Sequence, residues 1–396
     1  MLSERINRIQ PSPTLAVSAK SKAMRAAGED VLSFDVGEPD YDTPEHIKEA
    51  CIKALLDGDT KYTAAAGTPK FRAAIAKKLS RENKLEYSPD DIVVSSGGKH
   101  SLFNIFQSIL NPGDEVLIPT PYWVSYPDQV LLADGVPVFL PTTAKEGFKI
   151  SPEQLEEALH EHPRAKAIVL NSPSNPTGAV YPPEHLAKLA EVLDRYPHVL
   201  VVSDEIYEHM VYAPNTQWSI ASFSPEFKNR CVIVQGLSKT YSMTGWRIGW
   251  TASTPELAKA MGKLQSQSTS NPTSFAQAGG IAALEGPLPT EMLKEFERRG
   301  QIMRELLKDI PGFEVPKPEG AFYLFPKVSN LFGIMVGKDR QINSASDLTT
   351  YLLEVAKVAA VPGEGFGAPD HVRFSYANSL ENIKKGVNRI LGVLPE

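Results

Sequence analysis

Residues 167–202 have the sequence AIVLNSPSNPTGAVYPPEHLAKLAEVLDRYPHVLVV, which predicts a strand, a helix and a second strand. The short apolar runs Ala167–Leu170 and Val199–Val202 are typical of buried strands. Between them, Pro183–Arg195 carries leucine and alanine at helical spacing. Strands that alternate with helices in this way favour a largely parallel sheet with helices on both of its faces.

The same alternation extends through residues 91–253. Further apolar, β-branched strand candidates are Ile92–Ser95, Glu115–Ile118, Val136–Leu140, Val232–Val234 and Ile248–Ala252. Together with the first pair they make seven candidates, and amphipathic helical stretches lie between them. The sequence therefore predicts an α/β fold with a mostly parallel sheet.

The C-terminal part of the chain has a different pattern. Helical segments at Glu291–Leu307 and Ala345–Ala356 alternate irregularly with short extended runs. The extended runs are Ala321–Phe325 and His371–Ser375. Such a mixture of helices and short strands predicts a smaller α+β domain beside the main sheet.

Length and pattern together predict two domains. The 396 residues exceed the roughly 100–200 residues of one ordinary domain. The first 45 residues or so contain many loop signals, and we expect them to pack with the C-terminal part. The predicted large domain covers 46–290, and the predicted small domain is discontinuous and covers 1–45 and 291–396.

Composition limits the class of partner. A formal net charge of -6, with no block of Lys and Arg, disfavours nucleic acid and membrane surfaces as partners. The two cysteines, Cys51 and Cys231, have neither metal-ligand spacing nor a disulfide framework. Met1–Gln10 is polar and unlike a signal peptide, and no apolar run approaches about 20 residues. These features predict a cytoplasmic protein.

Side chains that could bind a ligand or take part in a reaction follow five of the predicted strands. In an open α/β sheet, ligands bind outside the carboxyl ends of the strands, so we expect these side chains to meet at one edge. The segments that follow the strands are Ser96–Lys99, Pro121–Trp123, Asn171–Gly178, Ser203–Tyr207 and Gln235–Lys239. They supply a turn suited to phosphate, an aromatic ring, an amide, a carboxylate with a phenol, and a lysine.

Each of these residues also has an ordinary structural interpretation. Asp204 could cap a helix, Asn175 could form a turn before proline, and Lys239 could be a surface charge. Trp123 and Tyr207 could be aromatic residues of the core. A single binding site explains all five at once, whereas the ordinary interpretations require five separate coincidences at one sheet edge.

The combination matches the needs of pyridoxal phosphate. The cofactor's aldehyde requires a lysine to form a Schiff base, and the same amine can move a proton. Its ring nitrogen requires a buried carboxylate partner to stay protonated, and its 3-oxygen requires donors such as a phenol and an amide. Its phosphate requires backbone N–H groups and an arginine.

Five motifs occur in a fixed order along nearly the whole chain. They are Phe34–Asp40 (FDVGEPD), Asn171–Gly178 (NSPSNPTG), Ser203–Tyr207 (SDEIY), Gly236–Lys239 (GLSK) followed by Arg247, and Val372–Ala377 (VRFSYA). In order and spacing they resemble the motifs of class I pyridoxal-phosphate aminotransferases. The resemblance implies the fold-type I architecture: a large domain around a seven-stranded sheet, a small domain built from both termini, and active sites at a homodimer interface.

The resemblance also implies roles around the cofactor. Lys239 would hold the cofactor as a Schiff base and move the proton between the substrate Cα and the cofactor C4′. Asp204 would pair with the pyridine nitrogen. Tyr207 and Asn175 would bind the 3-oxygen, and Trp123 would stack on the ring.

Phosphate binding is implied for another group of residues. Gly98 and Lys99 would offer backbone N–H groups, and Arg247 would add a charge. Tyr62 would reach the phosphate in the neighbouring subunit. Many relatives carry a phosphate-binding serine three residues before the lysine, and here Gly236 stands in that place.

For the substrate, the resemblance implies a clamp on the α-carboxylate. Arg373 would hold that carboxylate with its planar fork, helped by Asn175 and the backbone of Gly37. Trp123 would border the same space. The alternative for Arg373 is a structural ion pair within the small domain, and its position in the VRFSYA run makes a substrate role the stronger interpretation.

The segments 98–100 (GKH), 122–126 (YWVSY) and 266–270 (SQSTS) resemble most closely the bacterial-type aspartate aminotransferases. In that type, the distal carboxylate of the substrate would be met by Lys99 and Thr14. A second interpretation of Lys99, as a helix-start residue used only through its backbone, stays open.

The favoured function is transfer of an amino group between L-aspartate and 2-oxoglutarate by a ping-pong route. Alternatives are an aminotransferase for aromatic amino acids, alanine or prephenate, and a carbon–sulfur β-lyase on the same fold. Gln10 stands where relatives that accept prephenate tend to carry a lysine, which weighs against prephenate. A non-catalytic transcriptional regulator is disfavoured because no helix-turn-helix accompanies the enzyme motifs. The expected partners are small amino and keto acids.

Overall fold

The computed structural model describes residues 1–9, 11, 13–337 and 339–395, and its largest sheet has seven strands. The strands are β1 (Leu32–Ser33), β2 (Ile92–Ser95), β3 (Glu115–Pro119), β4 (Val136–Leu140), β5 (Ala165–Asn171), β6 (Leu200–Asp204), β7 (Cys231–Gly236), β8 (Gly249–Ala252), β9 (Tyr323–Leu324), β10 (Met335–Val336), β11 (Arg340–Gln341), β12 (Val358–Ala359), β13 (Val361–Pro362) and β14 (Val372–Ser375). The large sheet has the order β2-β8-β7-β6-β5-β3-β4. Within it β8 runs antiparallel to both neighbours, and the other pairs are parallel. The predicted α/β fold with a mostly parallel seven-stranded sheet is confirmed.

Helices follow most of these strands. They are α1 (Glu4–Asn7), α2 (Pro13–Ala26), α3 (Glu45–Leu56), α4 (Pro69–Lys78), α5 (Gly98–Ile109), α6 (Ser125–Leu132), α7 (Pro152–Glu161), α8 (Pro183–Asp194), α9 (Pro225–Lys228), α10 (Pro255–Ser266), α11 (Ser274–Glu285), α12 (Thr290–Lys308), α13 (Ala345–Tyr351) and α14 (Leu380–Leu391). Short 3₁₀ or π turns lie at Leu79–Asn83, Pro89–Asp91, Ala144–Glu146, Ile220–Ser222, Thr244–Trp246, Ser329–Leu331, Leu352–Ala356 and Gly363–Phe366.

The unit β5–α8–β6 forms where the opening stretch of sequence predicts it. Helix α8 begins with Pro183 in its first turn, where a missing N–H costs nothing, and it ends at Asp194. Leu189 and Leu193 on its inner face are fully buried in the same cluster as Ile168 of β5. Each such side chain contributes roughly 1.5–3 kcal/mol by burial, so the unit is held by its apolar face.

A second hydrophobic cluster combines the N-terminal segment with the C-terminal part. Strand β1 pairs in parallel with β12, and Leu32 and Phe34 are buried beside Phe374 of β14. Helix α1, by contrast, lies near α6, where Arg5 and Arg8 bind Asp134. The division into a large and a discontinuous small domain stays a prediction.

The expectation of a loop-rich N-terminus is wrong for α2, a helix of 14 residues. The prolines of the Pro11–Pro13 run read as loop signals, but a proline is well tolerated at the first helical position, where α2 begins. The alanines and other helix formers that follow carry the helix to Ala26.

Both cysteines are free: Cys231 is buried and Cys51 is half-buried. Among the described residues, no helix has the length and apolar character needed to cross a bilayer. The same residues contain no group of three or more His, Cys, Asp and Glu side chains placed to hold a metal ion.

Candidate active site

A cavity of about 270 Å³ opens where the carboxyl ends of β5, β6 and β7 meet the start of α5. Most of the residues singled out by the sequence line this one space. Its lining includes Thr14, Leu15, Gly37, Gly98, Lys99, Trp123, Val124, Tyr126, Asn171, Asn175, Asp204, Tyr207, Ser238, Lys239, Thr244, Arg247, Tyr323 and Arg373. The expected convergence on one sheet edge is therefore present in the structure.

Lys239 follows β7 and is enclosed by the cavity walls. Its Nζ donates a hydrogen bond of 2.5 Å to the backbone oxygen of Gly37. Burial lowers the pKa of Lys239 to about 8, and the positive charge of Arg373 acts in the same direction. A lysine with a lowered pKa is neutral in a larger fraction of molecules, and only the neutral amine attacks an aldehyde.

Asp204 is the last residue of β6 and is almost completely buried. The hydroxyl of Tyr126 donates to its Oδ2 at 2.7 Å, and the backbone N–H of Ile206 donates to Oδ1 at 3.2 Å. Burial raises the pKa of Asp204 to about 6, although both hydrogen bonds oppose that change. A buried carboxyl of this kind is suited to bind a protonated nitrogen.

Two phenols lie together on another wall of the cavity. The hydroxyl groups of Tyr207 and Tyr323 are 2.8 Å apart, and burial raises the pKa of both. Lys239 Nζ is 5.8 Å from the centroid of the Tyr207 ring. Tyr207 is thus a neutral hydrogen-bond donor or acceptor close to the amine.

The start of α5 and Arg247 form the third wall. Gly97 has a φ of +86°, and helix α5 begins at Gly98 with backbone N–H groups that have no intrahelical acceptor. Arg247 donates from Nη2 to Ser96 O at 3.2 Å and from Nη1 to Thr244 O at 2.8 Å. Helix-start N–H groups beside a guanidinium are suited to bind a phosphate.

Arg373 is 2% exposed, yet its hydrogen bonds end on neutral oxygens. Nη1 donates to Asn175 Oδ1 at 2.9 Å and Nη2 to the backbone oxygen of Asp35 at 2.7 Å. Across the ranges that the structure describes, no carboxylate lies within 4.0 Å of it. A buried cation without a carboxylate is costly, so the site is electrostatically prepared for an anion.

Lys99, Thr14 and Trp123 also line the cavity. Lys99 Nζ lies 5.0 Å from the centroid of the Trp123 ring. Burial lowers the pKa of Lys99, and the charge of Arg247 acts in the same direction. The side chain of Lys99 thus lies close to Trp123, and its role towards the substrate stays a prediction.

Two further predicted positions have particular surroundings. Tyr62 is 90% exposed and is absent from the lining of this cavity. At Gly236, a Cβ atom would lie 2.9 Å from Ile248 O and 3.0 Å from the Gly249 Cα. The backbone of β8 thus leaves no room for the serine found in many relatives.

Several lining residues were not assigned a role from the sequence, among them Tyr126, Asn171, Thr244 and Tyr323. Tyr126 lies in the YWVSY run and Tyr323 in the predicted extended run 321–325, so a signal for their location existed. The sequence carried no signal for their roles, because the hydrogen bonds of Tyr126 to Asp204 and of Tyr323 to Tyr207 join residues far apart in the chain.

Comparison with known proteins decides the family. The family model for aminotransferase class I and II matches residues 29–390. This chain belongs to the class I and II aminotransferases. The aminotransferase is 50% identical to the aspartate aminotransferase of Geobacillus stearothermophilus, over 98% of each chain. It is also 50% identical to a probable aspartate/prephenate aminotransferase of Aquifex aeolicus, over 100% of this chain and 99% of that one.

Solved structures agree with that assignment. The aspartate aminotransferase of Rhizobium meliloti has a TM-score of 0.95 at 43% identity, covering 99% of this aminotransferase and 98% of that chain. The Thermus thermophilus aspartate aminotransferase with maleate has a TM-score of 0.91 at 42% identity, with full coverage of both chains. The recognised resemblance and the predicted enzyme class are confirmed.

The family uses pyridoxal phosphate, and the cavity of this aminotransferase fits that cofactor. Lys239 supplies an amine with a lowered pKa, and Asp204 supplies a buried carboxyl whose partners are a phenol and a backbone N–H. The start of α5 and Arg247 supply donors for a phosphate. When bound, the cofactor supplies an electron sink for the charge that develops at the substrate Cα.

Proposed function

We propose that this aminotransferase transfers the amino group between L-aspartate and 2-oxoglutarate. The observation that carries the proposal is the charge of the cavity. Its lining contains four basic side chains, Lys99, Lys239, Arg247 and Arg373, and one carboxyl, Asp204. A cofactor phosphate accounts for one anion, and a dicarboxylic substrate supplies two more.

Each basic residue has a separate proposed task. Arg373 binds the α-carboxylate through its fork, with Asn175 and the backbone of Gly37 beside it. Lys99 and Thr14 receive the distal carboxylate, since both line the same cavity. The aromatic ring of Trp123 borders both the cofactor and the substrate space.

Around the cofactor, we propose the roles that the resemblance implies. Asp204 holds a proton on the ring nitrogen, and Tyr207 and Asn175 bind the 3-oxygen. Lys239 removes the proton from the substrate Cα and returns it, because its amine is the base enclosed with the substrate. Gly98 and Lys99 bind the phosphate through their backbone N–H groups, and Arg247 binds it through its guanidinium.

The test is a panel of amino donors assayed with 2-oxoglutarate as acceptor. Aspartate should give the highest kcat/KM, because it alone among the common donors matches both cationic ends with the shorter carboxylate side chain. A higher kcat/KM for alanine, tyrosine or phenylalanine would overturn the substrate assignment. Release of pyruvate from cystathionine without a keto acid would instead indicate a carbon–sulfur β-lyase.

Prephenate is the second candidate acceptor. Several relatives at 46–50% identity carry names that include both aspartate and prephenate aminotransferase. Gln10, which weighs against prephenate, lies outside the residues that the structure describes. The test assays prephenate as acceptor with aspartate as donor, for the wild type and for Gln10→Lys. Activity confined to the Gln10→Lys variant would support the inference from Gln10, and activity of the wild type would make prephenate an acceptor.

We also propose a homodimer with shared active sites, located in the cytoplasm. Tyr62 is 90% exposed and is free to reach a neighbouring copy, where it would bind the cofactor phosphate. Ile52, Leu55 and Leu56, at the end of α3, expose large apolar side chains close to Tyr62 in the sequence. Analytical ultracentrifugation tests the dimer, and loss of cofactor affinity in Tyr62→Ala tests the sharing.

A further inference from the structure

A second group of buried charges lies behind the cavity. Lys78, at the end of α4, is 1% exposed. Its Nζ donates to Glu208 Oε1 at 2.5 Å, to Gln235 Oε1 at 3.0 Å and to Asn83 Oδ1 at 2.9 Å. The ammonium is therefore fully satisfied by three oxygens, one of them a carboxylate.

Gln235 joins this ammonium to a second buried carboxyl. It is fully buried in β7, and its Nε2 donates to Glu208 Oε2 at 2.9 Å and to Glu205 Oε2 at 3.1 Å. The hydroxyls of Ser203 and Ser219 donate to the other oxygen of Glu205 at 2.9 and 2.5 Å. Burial and the charge of Glu208 raise the pKa of Glu205 to about 7.

The members of this network alternate in sequence with the residues of the cavity. Glu205 follows Asp204, and Glu208 follows Tyr207. Gln235 lies on the strand that leads to Lys239. The side chains of the network therefore connect two backbone segments, 203–209 and 235–239. The same two segments carry Asp204, Tyr207 and Lys239, which are proposed to bind the cofactor.

A second link connects the same two segments. His209 lies 3.0 Å from the hydroxyl of Thr240 through Nδ1 and 3.1 Å from Glu82 Oε2 through Nε2. Thr240 directly follows Lys239, and Glu82 is itself 3.5 Å from Lys78 Nζ. None of these residues is in the lining of the cavity, so any effect on the reaction must pass through their neighbours.

We propose that Lys78, Glu208 and Gln235 are positioning residues that fix the distance between the segment of Asp204 and Tyr207 and the segment of Lys239. The inference rests on the proposed cofactor site. Reacting groups must be held closely, because a misplacement of about 1 Å can lower a rate by roughly a hundredfold. The two segments leave neighbouring strands that are paired through their backbones as far as Asp204 and Val234. Beyond that pairing, two hydrogen bonds from the buried Gln235 amide, to Glu205 and Glu208, join the segments directly, and Lys78 bonds both Gln235 and Glu208.

The deciding variant is Gln235→Met. It removes the bonds of Gln235 to Glu205 and Glu208 at nearly constant volume and leaves the Lys78–Glu208 ion pair and the strand pairing in place, so the protein should still fold. We expect kcat for aspartate to fall on the order of tenfold, with KM changed less than about twofold because Arg373 is untouched. The dissociation constant of pyridoxal phosphate from the apoenzyme should rise, and the absorbance maximum of the bound cofactor should move.

The matched control is Leu159→Ala, which removes buried apolar volume from α7, a helix that carries no residue of the network or of the cavity lining. It should lower the unfolding temperature at least as much as Gln235→Met and keep the wild-type kcat and absorbance. Lys78→Met is a second, more severe variant; should it fail to fold, Gln235→Met still decides.

A Gln235→Met enzyme with wild-type kcat, cofactor affinity and absorbance would overturn the proposal and leave the network with a purely structural role. A Leu159→Ala enzyme that shows the same kinetic loss would overturn it as well, because general destabilisation would then explain both. Failure of the proposed function would give a different result, because the wild type itself would then show no cofactor absorbance or no aspartate turnover.

Discussion

The cavity and the Lys78 network are two buried charged regions that share the segment Ser203–His209. They differ in the acceptors that surround their buried cations. In the network, Lys78 is paired with the carboxylate of Glu208 at 2.5 Å. In the cavity, the equally buried Arg373 donates only to the neutral oxygens of Asn175 and Asp35. Burial alone therefore does not distinguish the two regions, but the kind of partner does.

The difference separates internal structure from a binding site. Removing a charge from water costs several kcal/mol, and a carboxylate partner offsets much of that cost. A network that is already neutralised gains nothing from a further anion. A buried arginine that meets only carbonyl and amide oxygens, as Arg373 does, is stabilised by an anion that enters the cavity, so the cavity has its lowest free energy with that anion bound.

The largest expected effect separates the two buried lysines. Lys239→Ala should remove the visible absorbance of the lysine-bound cofactor and lower turnover by several orders of magnitude, since Lys239 supplies the amine that forms that bond in the proposed site. Lys78→Met should retain a visible absorbance band, with its maximum moved, because Lys78 positions the segments around the cofactor and forms no bond to it. Absorbance spectra and aspartate turnover of both purified variants check the contrast. Retained absorbance in Lys239→Ala would identify a different nucleophile.

The next effect concerns the unpaired arginine. Arg373→Lys should raise the KM for aspartate and for 2-oxoglutarate by on the order of tenfold or more, because a point charge cannot reproduce the bidentate fork. Arg230→Lys is the control: Arg230 also donates to backbone oxygens, but at the opposite end of the sheet. Steady-state kinetics measure both, and unchanged constants in Arg373→Lys would remove it from the substrate site.

A smaller effect tests whether anions stabilise the cavity. Succinate at about 100 times its dissociation constant should stabilise the folded holoenzyme by about 2.7 kcal/mol, which thermal unfolding would detect. Propionate, with one carboxylate, should stabilise it less at the same concentration. Arg373→Leu should lose most of the succinate effect. Equal stabilisation by the two acids would contradict a site with two carboxylate positions.

The smallest effect is a pH midpoint. The pKa of Lys239 is lowered from 10.5 to about 8, so its amine is mostly charged below that pH and mostly neutral above it. The rate at which apoenzyme captures pyridoxal phosphate should therefore rise with pH through a midpoint near 8. Arg373→Leu removes a positive charge that favours the neutral amine, and the midpoint should move upward. Arg230→Leu should leave it unchanged.

Much of the fold was predictable because it depends on local patterns. The seven strand candidates match the sheet with shifts of one or two residues at most, and the predicted helix 183–195 is α8 with one residue less. Apolar runs and helical spacing are properties of consecutive residues. The convergence of Asp204, Asn175 and Lys239 was predictable for a related reason: parallel strands place their carboxyl ends at one edge.

What the sequence did not predict depends on long-range contacts. Tyr126 is an aromatic residue of a short helix until its hydroxyl is seen 2.7 Å from Asp204. Gln235 reads as an ordinary polar residue, because its partners Lys78 and Glu205 are 157 and 30 positions away. Helix α2 was missed because proline signals a loop and a helix start equally well.

Gly97 has a consequence for any attempt to redesign the enzyme. Its positive φ disfavours a side chain, and a Cβ there would collide with the guanidinium of Arg247. Libraries that aim to change specificity should keep Gly97 constant and vary positions such as Leu15 and Val124, which line the cavity. We therefore expect substitutions at Leu15 and Val124 to be tolerated more readily than substitutions at Gly97.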